Sequence, residues 1–250
     1  KFYNNKSSLQ GFKDQLIKAP NNKRLAEMID IVPENHSGAY ISYFNLAKSG
    51  FEEPMTTHSD HYESNYGYSS AAYSKGEVFL EQLGYIVGAD VRDKILLEYY
   101  KQWRFKHPNA TDFMRVAEQV SGIQLDWYKE YWVNTTKTID YRIDSLWEES
   151  GITKIRLRRT GKLPMPVDLQ LTFKDGSTEM FYVPLNLMFG NKPNENLAQK
   201  RELLEEWRWT HPAYVVETKH KLTDIKIVEI DPSKRMADVD RKNNKLELNW

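Results

Sequence analysis

The sequence predicts an α+β protein of two domains, a helical bundle over residues 1–146 and a β-sandwich over residues 147–250. Two patterns lead there. Up to about Thr138, apolar residues recur at three-and-four spacing between Gly, Pro and capping residues. Beyond it they alternate in short runs separated by turn sequences. A chain of 250 residues, 40% of them apolar, is long enough to bury a core in each part.

The helices follow in order. Lys23 to Val32 puts Leu25, Met28, Ile29 and Val32 on one face, and Pro33 stops it. Gly38 to Ala47 groups Tyr40, Tyr43, Phe44 and Ala47, with Ser49-Gly50 as its end. Phe51 to Tyr68 is polar and turn-rich and is expected to be an irregular loop. Ala71 to Gly88 is expected to be one long helix with an apolar middle, in which Gly76 lets another backbone pack closely. Asp90 is the expected cap of the next helix, which runs through Ile95 and Tyr99 to Trp103 before His107-Pro108-Asn109 breaks it. Thr111 or Asp112 is expected to cap a short helix that Gly122 closes. Leu125 to Val133 forms the last helix, rich in aromatic residues.

The strands have a different signature. Ile155 and Leu157 alternate with Lys154, Arg156 and Arg158, and Val167, Leu169, Leu171 and Phe173 alternate with polar residues. Lys174-Asp175-Gly176-Ser177 predicts a hairpin into a return strand with Met180 and Tyr182. Ile225, Ile227 and Val228 precede Asp231-Pro232, and Asn243-Asn244 turns into Leu246-Glu247-Leu248. Short strands between regular turns imply a β-sandwich. The boundary is expected between Asp144 and Gly151. Asn194 to Trp209 is charged and helix-prone, and has no place in that sheet pattern.

Composition excludes several functions. Lys plus Arg and Asp plus Glu each number 35, so no net charge draws in nucleic acid or an anionic membrane surface. The chain has no cysteine, which removes disulfides, thiol chemistry and cysteine-ligated metal sites. No apolar run is long enough for a transmembrane segment. Gly-rich phosphate loops, a Gly-x-Ser-x-Gly elbow and nucleotide fingerprints are missing. The chain opens on Lys1-Phe2-Tyr3 without an initiator Met or signal-peptide pattern, and is expected to be a piece of a longer polypeptide. Compartment and oligomeric state stay open, with a lean toward an exported or periplasmic parent.

The stretch Tyr68-Ser69-Ser70-Ala71-Ala72-Tyr73-Ser74-Lys75-Gly76 carries the main candidate. A phenol held at the start of a buried helix is expected to be rigid, water-poor and able to donate one hydrogen bond to a developing oxyanion. The alternative for Tyr73 is a ring packed under the bundle with its hydroxyl on a backbone carbonyl. His58 and His61 flank Asp60 in a His-x-x-His pair, but their neighbours lack helical periodicity and the spacing implies no third ligand. They are expected to be loop histidines. Glu52 and Glu53 before Pro54 could face a cleft and touch a substrate amine; loop solubility is the expected role. Tyr128, Tyr131 and Trp132 share one helical stripe beside Trp127, the spacing of a packing face.

The Tyr73-Ser74-Lys75-Gly76 element resembles the Tyr-x-Lys-Gly element of the gluzincin zinc aminopeptidases, the family of aminopeptidase N and the leukotriene hydrolase. The likeness continues through Asp112-Phe113, Ser121-Gly122, Leu125-Asp126-Trp127-Tyr128 and Tyr131-Trp132, and is specific over His36 to Tyr141. It implies that the helices close a thermolysin-like catalytic domain and that an Ig-like antiparallel sandwich follows. It also implies that Tyr73 donates its hydroxyl to the tetrahedral intermediate of N-terminal peptide-bond hydrolysis, with Tyr68 in support. Family members hold zinc with two histidines and a glutamate and use a second glutamate as general base. No His-Glu-x-x-His occurs in these 250 residues. The expectation is therefore zinc in the full-length parent, none in this piece, and a piece inactive by itself toward its peptide substrate. The competing expectation is a non-catalytic peptide- or protein-binding module derived from the same family. A third is a self-standing structural protein whose sandwich faces carbohydrate or protein.

Overall fold

A computed structural model describes residues 6–249. Lys1-Phe2-Tyr3, where the expectation of a longer polypeptide begins, lies outside those residues. The chain is α+β and divides into two units. One takes the residues up to Lys137 and, later, Ser233–Ala237; the other takes Thr138–Pro232 and the residues from Asp238 on.

The first unit is helical. The sequence reading did not anticipate α1 (Lys6–Lys18), whose apolar spacing is sparse. Helix α2 (Lys23–Asp30) starts where the Asn22 side chain accepts from the Leu25 N–H at 3.1 Å. Helix α3 (Ser37–Ser49) buries Tyr40, Tyr43, Phe44 and Leu46, and Gly50 ends it at φ 79°. That left-handed value favours glycine. Helices α4 (Asn65–Ser69) and α5 (Gly76–Val87) are joined by a π-helical turn, Ser70–Lys75. Helices α6 (Ala89–Trp103), α7 (Ala110–Ser121) and α8 (Asp126–Val133) complete the unit.

Two caps differ from expectation. Gly88, at φ 94°, precedes α6, and Asp90 lies inside the first turn, where its charge complements the helix dipole without capping. Asn109 caps α7: its side chain accepts from the Thr111 and Asp112 N–H groups, and the Asp112 carboxylate accepts from the Asn109 N–H. That reciprocal box satisfies backbone donors that a helix start leaves open.

Aromatic rings fill the core of this unit. Phe79 stacks on Tyr128 at 5.0 Å, Tyr128 on Trp132 at 6.1 Å, and Tyr43 sits 5.4 Å from Trp132. The Tyr128 hydroxyl donates to the Phe79 carbonyl at 2.6 Å, and burial pushes its pKa well above the usual phenol range. Ser233–Ala237 is tied in by Gln82. Its amide donates to the Arg235 carbonyl at 2.6 Å and accepts from the Ala237 N–H at 3.0 Å. Tyr40 also donates to the Arg235 carbonyl.

The second unit holds two sheets. One has the order β1-β2-β6, from Tyr141–Glu149, Ile152–Arg159 and Ala213–Thr218, all antiparallel. The other has the order β5-β4-β3-β7-β8. Its strands are Arg201–Leu203, Thr178–Val183, Val167–Phe173, Ile225–Ile230 and Lys245–Glu247, with only β4 and β5 parallel. Ile155 and Leu157 are buried while Arg156 and Arg158 face solvent, as the alternation requires. The β3–β4 hairpin turns at the expected residues, with Gly176 at φ 86° and Asp175 accepting from the Ser177 N–H at 2.9 Å.

The expected boundary at residue 146 lies inside β1. A bulge between Ile143 and Ser145 disturbs the alternation of this strand, and Ser150 and Gly151, both at positive φ, turn it back into β2. The stretch 194–209 is extended rather than helical. Asn194 and Asn196 each accept from a backbone N–H two residues on, β5 joins the sheet, and Trp207 is buried with its ring N–H on the His211 carbonyl. Local side-chain turns and one large apolar anchor outweigh helix propensity here. Among the described residues no helix is long and apolar enough to cross a membrane.

Candidate functional site

The helix expected over Ala71 to Gly88 is interrupted where its chemistry is concentrated. Helix α4 begins with the Ser64 hydroxyl accepting from the Gly67 N–H at 3.0 Å. At Ser70 the backbone widens into the π-helical turn, which runs to Lys75 before α5 resumes at Gly76. Such turns accommodate one extra residue per turn and recur at functional sites.

Within this turn neighbouring side chains go opposite ways. Ser70 and Ala71 are buried. Tyr73 is 74% exposed, and among the described residues its hydroxyl has no hydrogen-bond partner. Lys75, two residues on, is 1% exposed. Its ammonium lies 2.8 Å from the Glu52 carboxylate, donates to the Thr135 carbonyl at 3.1 Å, and stands 6.0 Å from the centre of the Trp132 ring. Burial pulls the Lys75 pKa below its usual value, and the Glu52 charge opposes that shift. The Thr135 carbonyl lies just past the C-terminal end of α8, where the helix dipole also favours a cation.

Glu52 is corrected by this arrangement. Loop solubility was the expected role, but its side chain is only 6% exposed and sits against Lys75. Glu53 holds the loop instead, accepting from the Glu63 N–H at 2.9 Å. The close backbone approach assigned to Gly76 occurs at Gly67. A side-chain carbon on Gly67 would stand 2.7 Å from the Phe51 carbonyl oxygen. On Gly76 it would meet only the Met55 methyl, at an ordinary 3.8 Å.

The remaining candidates fall into place by burial. Tyr68, just before the π-helical turn, is exposed and meets Tyr62 edge-on at 5.3 Å. Phe51 and Tyr66 are exposed too, edge-on at 6.4 Å. His58 and His61 lie in an exposed loop with ring centres 5.4 Å apart, and His58 accepts from the Asp60 N–H. Trp127, Tyr128 and Trp132 are core residues, while Tyr131 lies half-buried under Lys137 at 4.6 Å. Sequence reasoning missed Lys75 and Glu52 as a unit. The signal available was a lysine entering an apolar helix with a carboxylate upstream, and only the fold joins residues 23 positions apart.

Among the described residues no three His, Cys, Asp or Glu side chains gather as a metal site. The residues present do not fit a zinc centre. What the turn can offer is one exposed phenolic donor on a backbone pinned at Lys75. No protein-family model matches the chain, and no curated protein matches it.

Proposed function

We propose that this chain is the C-terminal portion of a gluzincin-type zinc aminopeptidase, a hydrolase that removes N-terminal residues from peptides. Tyr73 supplies the hydrogen bond that stabilises the oxyanion formed at the scissile carbonyl. One observation supports this reading above the others: Tyr73 presents an unengaged hydroxyl to solvent on a turn whose Ser70, Ala71 and Lys75 are buried. A phenolic donor that reaches the oxyanion is worth about 3 kcal/mol of transition-state stabilisation.

On this reading the helical unit is the end of a thermolysin-like catalytic domain, the two sheets form an Ig-like sandwich, and Tyr68 supports Tyr73. The metal of that family finds no ligand set among the described residues, so no metal-dependent step is assigned to this chain. Ligands and general base belong elsewhere in the parent, and these 250 residues alone do not turn over peptide. Comparing Tyr73→Phe with the unaltered longer polypeptide tests the reading through kcat.

A second reading, a non-catalytic peptide- or protein-binding module, draws on the exposed rings of Phe51, Tyr66 and Tyr68. Aromatic rings on a surface commonly serve recognition. A parent that binds peptides but lacks the zinc-ligand helix selects that reading.

A further inference from the structure

Lys75 and Glu52 are buried where an apolar pair would hold the fold as well. Desolvation of two charges offsets much of their attraction, so such a pair is a weak source of stability. It supplies direction instead. The Lys75 ammonium approaches two fixed oxygens, the Glu52 carboxylate at 2.8 Å and the Thr135 carbonyl at 3.1 Å, with the Trp132 ring 6.0 Å away. Those acceptors come from separate segments, the loop after α3 and the end of α8. An ion pair to one and a hydrogen bond to the other limit the rotation of the π-helical turn, which apolar packing would leave looser. Tyr73 lies two residues away on that turn, and the Gly76 N–H donates to its carbonyl.

We propose that Glu52 and Lys75 are positioning residues for Tyr73, holding the π-helical turn in the one rotation that aims the phenol outward at the substrate carbonyl. This rests on the reading of Tyr73 as an oxyanion donor and extends it. Neither residue touches substrate; both act through Tyr73.

The test removes both charges together, Glu52→Leu with Lys75→Met, so that no lone charge is left buried and the fold is kept, as thermal unfolding verifies. In the 250-residue chain carrying ring-¹³C tyrosine, the Tyr73 resonance shifts and broadens while that of Tyr128 stays put. A Tyr73 resonance identical to the parent's overturns the proposal. In the longer polypeptide the double variant lowers kcat by about ten- to a hundredfold with KM nearly unchanged, the signature of a misaimed donor. Adding Tyr73→Phe to it then costs about twofold at most, because the donor is already lost. A full additional loss shows that the pair does not act through Tyr73 and also overturns the proposal. The single variant Tyr73→Phe separates the two claims. If it alone leaves kcat unchanged, the oxyanion reading falls, and the ¹³C result still decides whether the pair sets the ring.

Discussion

Glu52 and Lys75, 23 residues apart, meet at 2.8 Å two residues along the turn from the exposed Tyr73, with 6% and 1% of their side chains open to solvent. A charge pair so enclosed is costly to break and cheap to replace. Lys75→Met alone leaves the carboxylate unpaired and is expected to destabilise the fold by about 3–5 kcal/mol, whereas Glu52→Leu with Lys75→Met is expected to be near neutral. Urea unfolding of the two variants measures the contrast; equal losses would show that packing volume, not charge, governs the site.

Glycine substitutions separate the two ends of the interrupted helix. Gly76→Ala is expected to stabilise by about 0.5–1 kcal/mol, because the new methyl meets only the Met55 methyl at an ordinary 3.8 Å and glycine is a poor helix residue. Gly67→Ala is expected to destabilise, since its methyl would press on the Phe51 carbonyl at 2.7 Å. Thermal denaturation of both variants checks the signs, and the opposite order would contradict the placement of the backbone approach at Gly67.

The second unit carries a pH-dependent group. Asp238 accepts from the Tyr141 N–H at 2.8 Å, from the Asn244 amide at 3.0 Å and from the Asp240 N–H at 2.9 Å. Burial nevertheless pushes its pKa up to about 6, with the nearby Asp140 charge adding to the shift. A carboxyl whose folded pKa is raised binds its proton more tightly when folded. Its stabilising contribution is complete below the unfolded pKa and falls by about 3 kcal/mol as pH rises from 4 through 6. Asp238→Asn is expected to remove that slope. Denaturant titrations of parent and variant between pH 4 and pH 7 supply the comparison, and parallel curves would refute it.

Metal retention probes the division of labour. After loading with zinc and dialysis, the 250-residue chain is expected to keep far less than one equivalent, because no three suitable ligands converge among its described residues. Stoichiometric retention would contradict the view that the metal centre lies elsewhere in the parent.

Much of the architecture was legible because periodicity reports burial directly. The apolar faces of α3 and α8 and the alternation of β2 and β3 reappear as buried residues, while on the α2 face Leu25 is buried and Met28 and Ile29 are half-buried. The π-helical turn was invisible because its residues have no distinctive composition, and Ser70 and Lys75 at its ends keep ordinary helical φ and ψ. Strand β1 was hidden by its bulge, and the extended run before Trp207 by helix-prone charges that side-chain turns overrode. At the site, the motif pointed to Tyr73 but not to the Glu52–Lys75 pair. That pairing depends on how the loop after α3 returns across the turn, a tertiary fact with no local pattern.

Steady-state kinetics of Tyr73→Phe in the longer polypeptide, on an aminoacyl substrate, tests the central claim most directly. The expected result is a kcat about two orders of magnitude lower with KM within about twofold of the parent. A kcat equal to the parent's would remove the phenol from the reaction and leave the helical unit a scaffold.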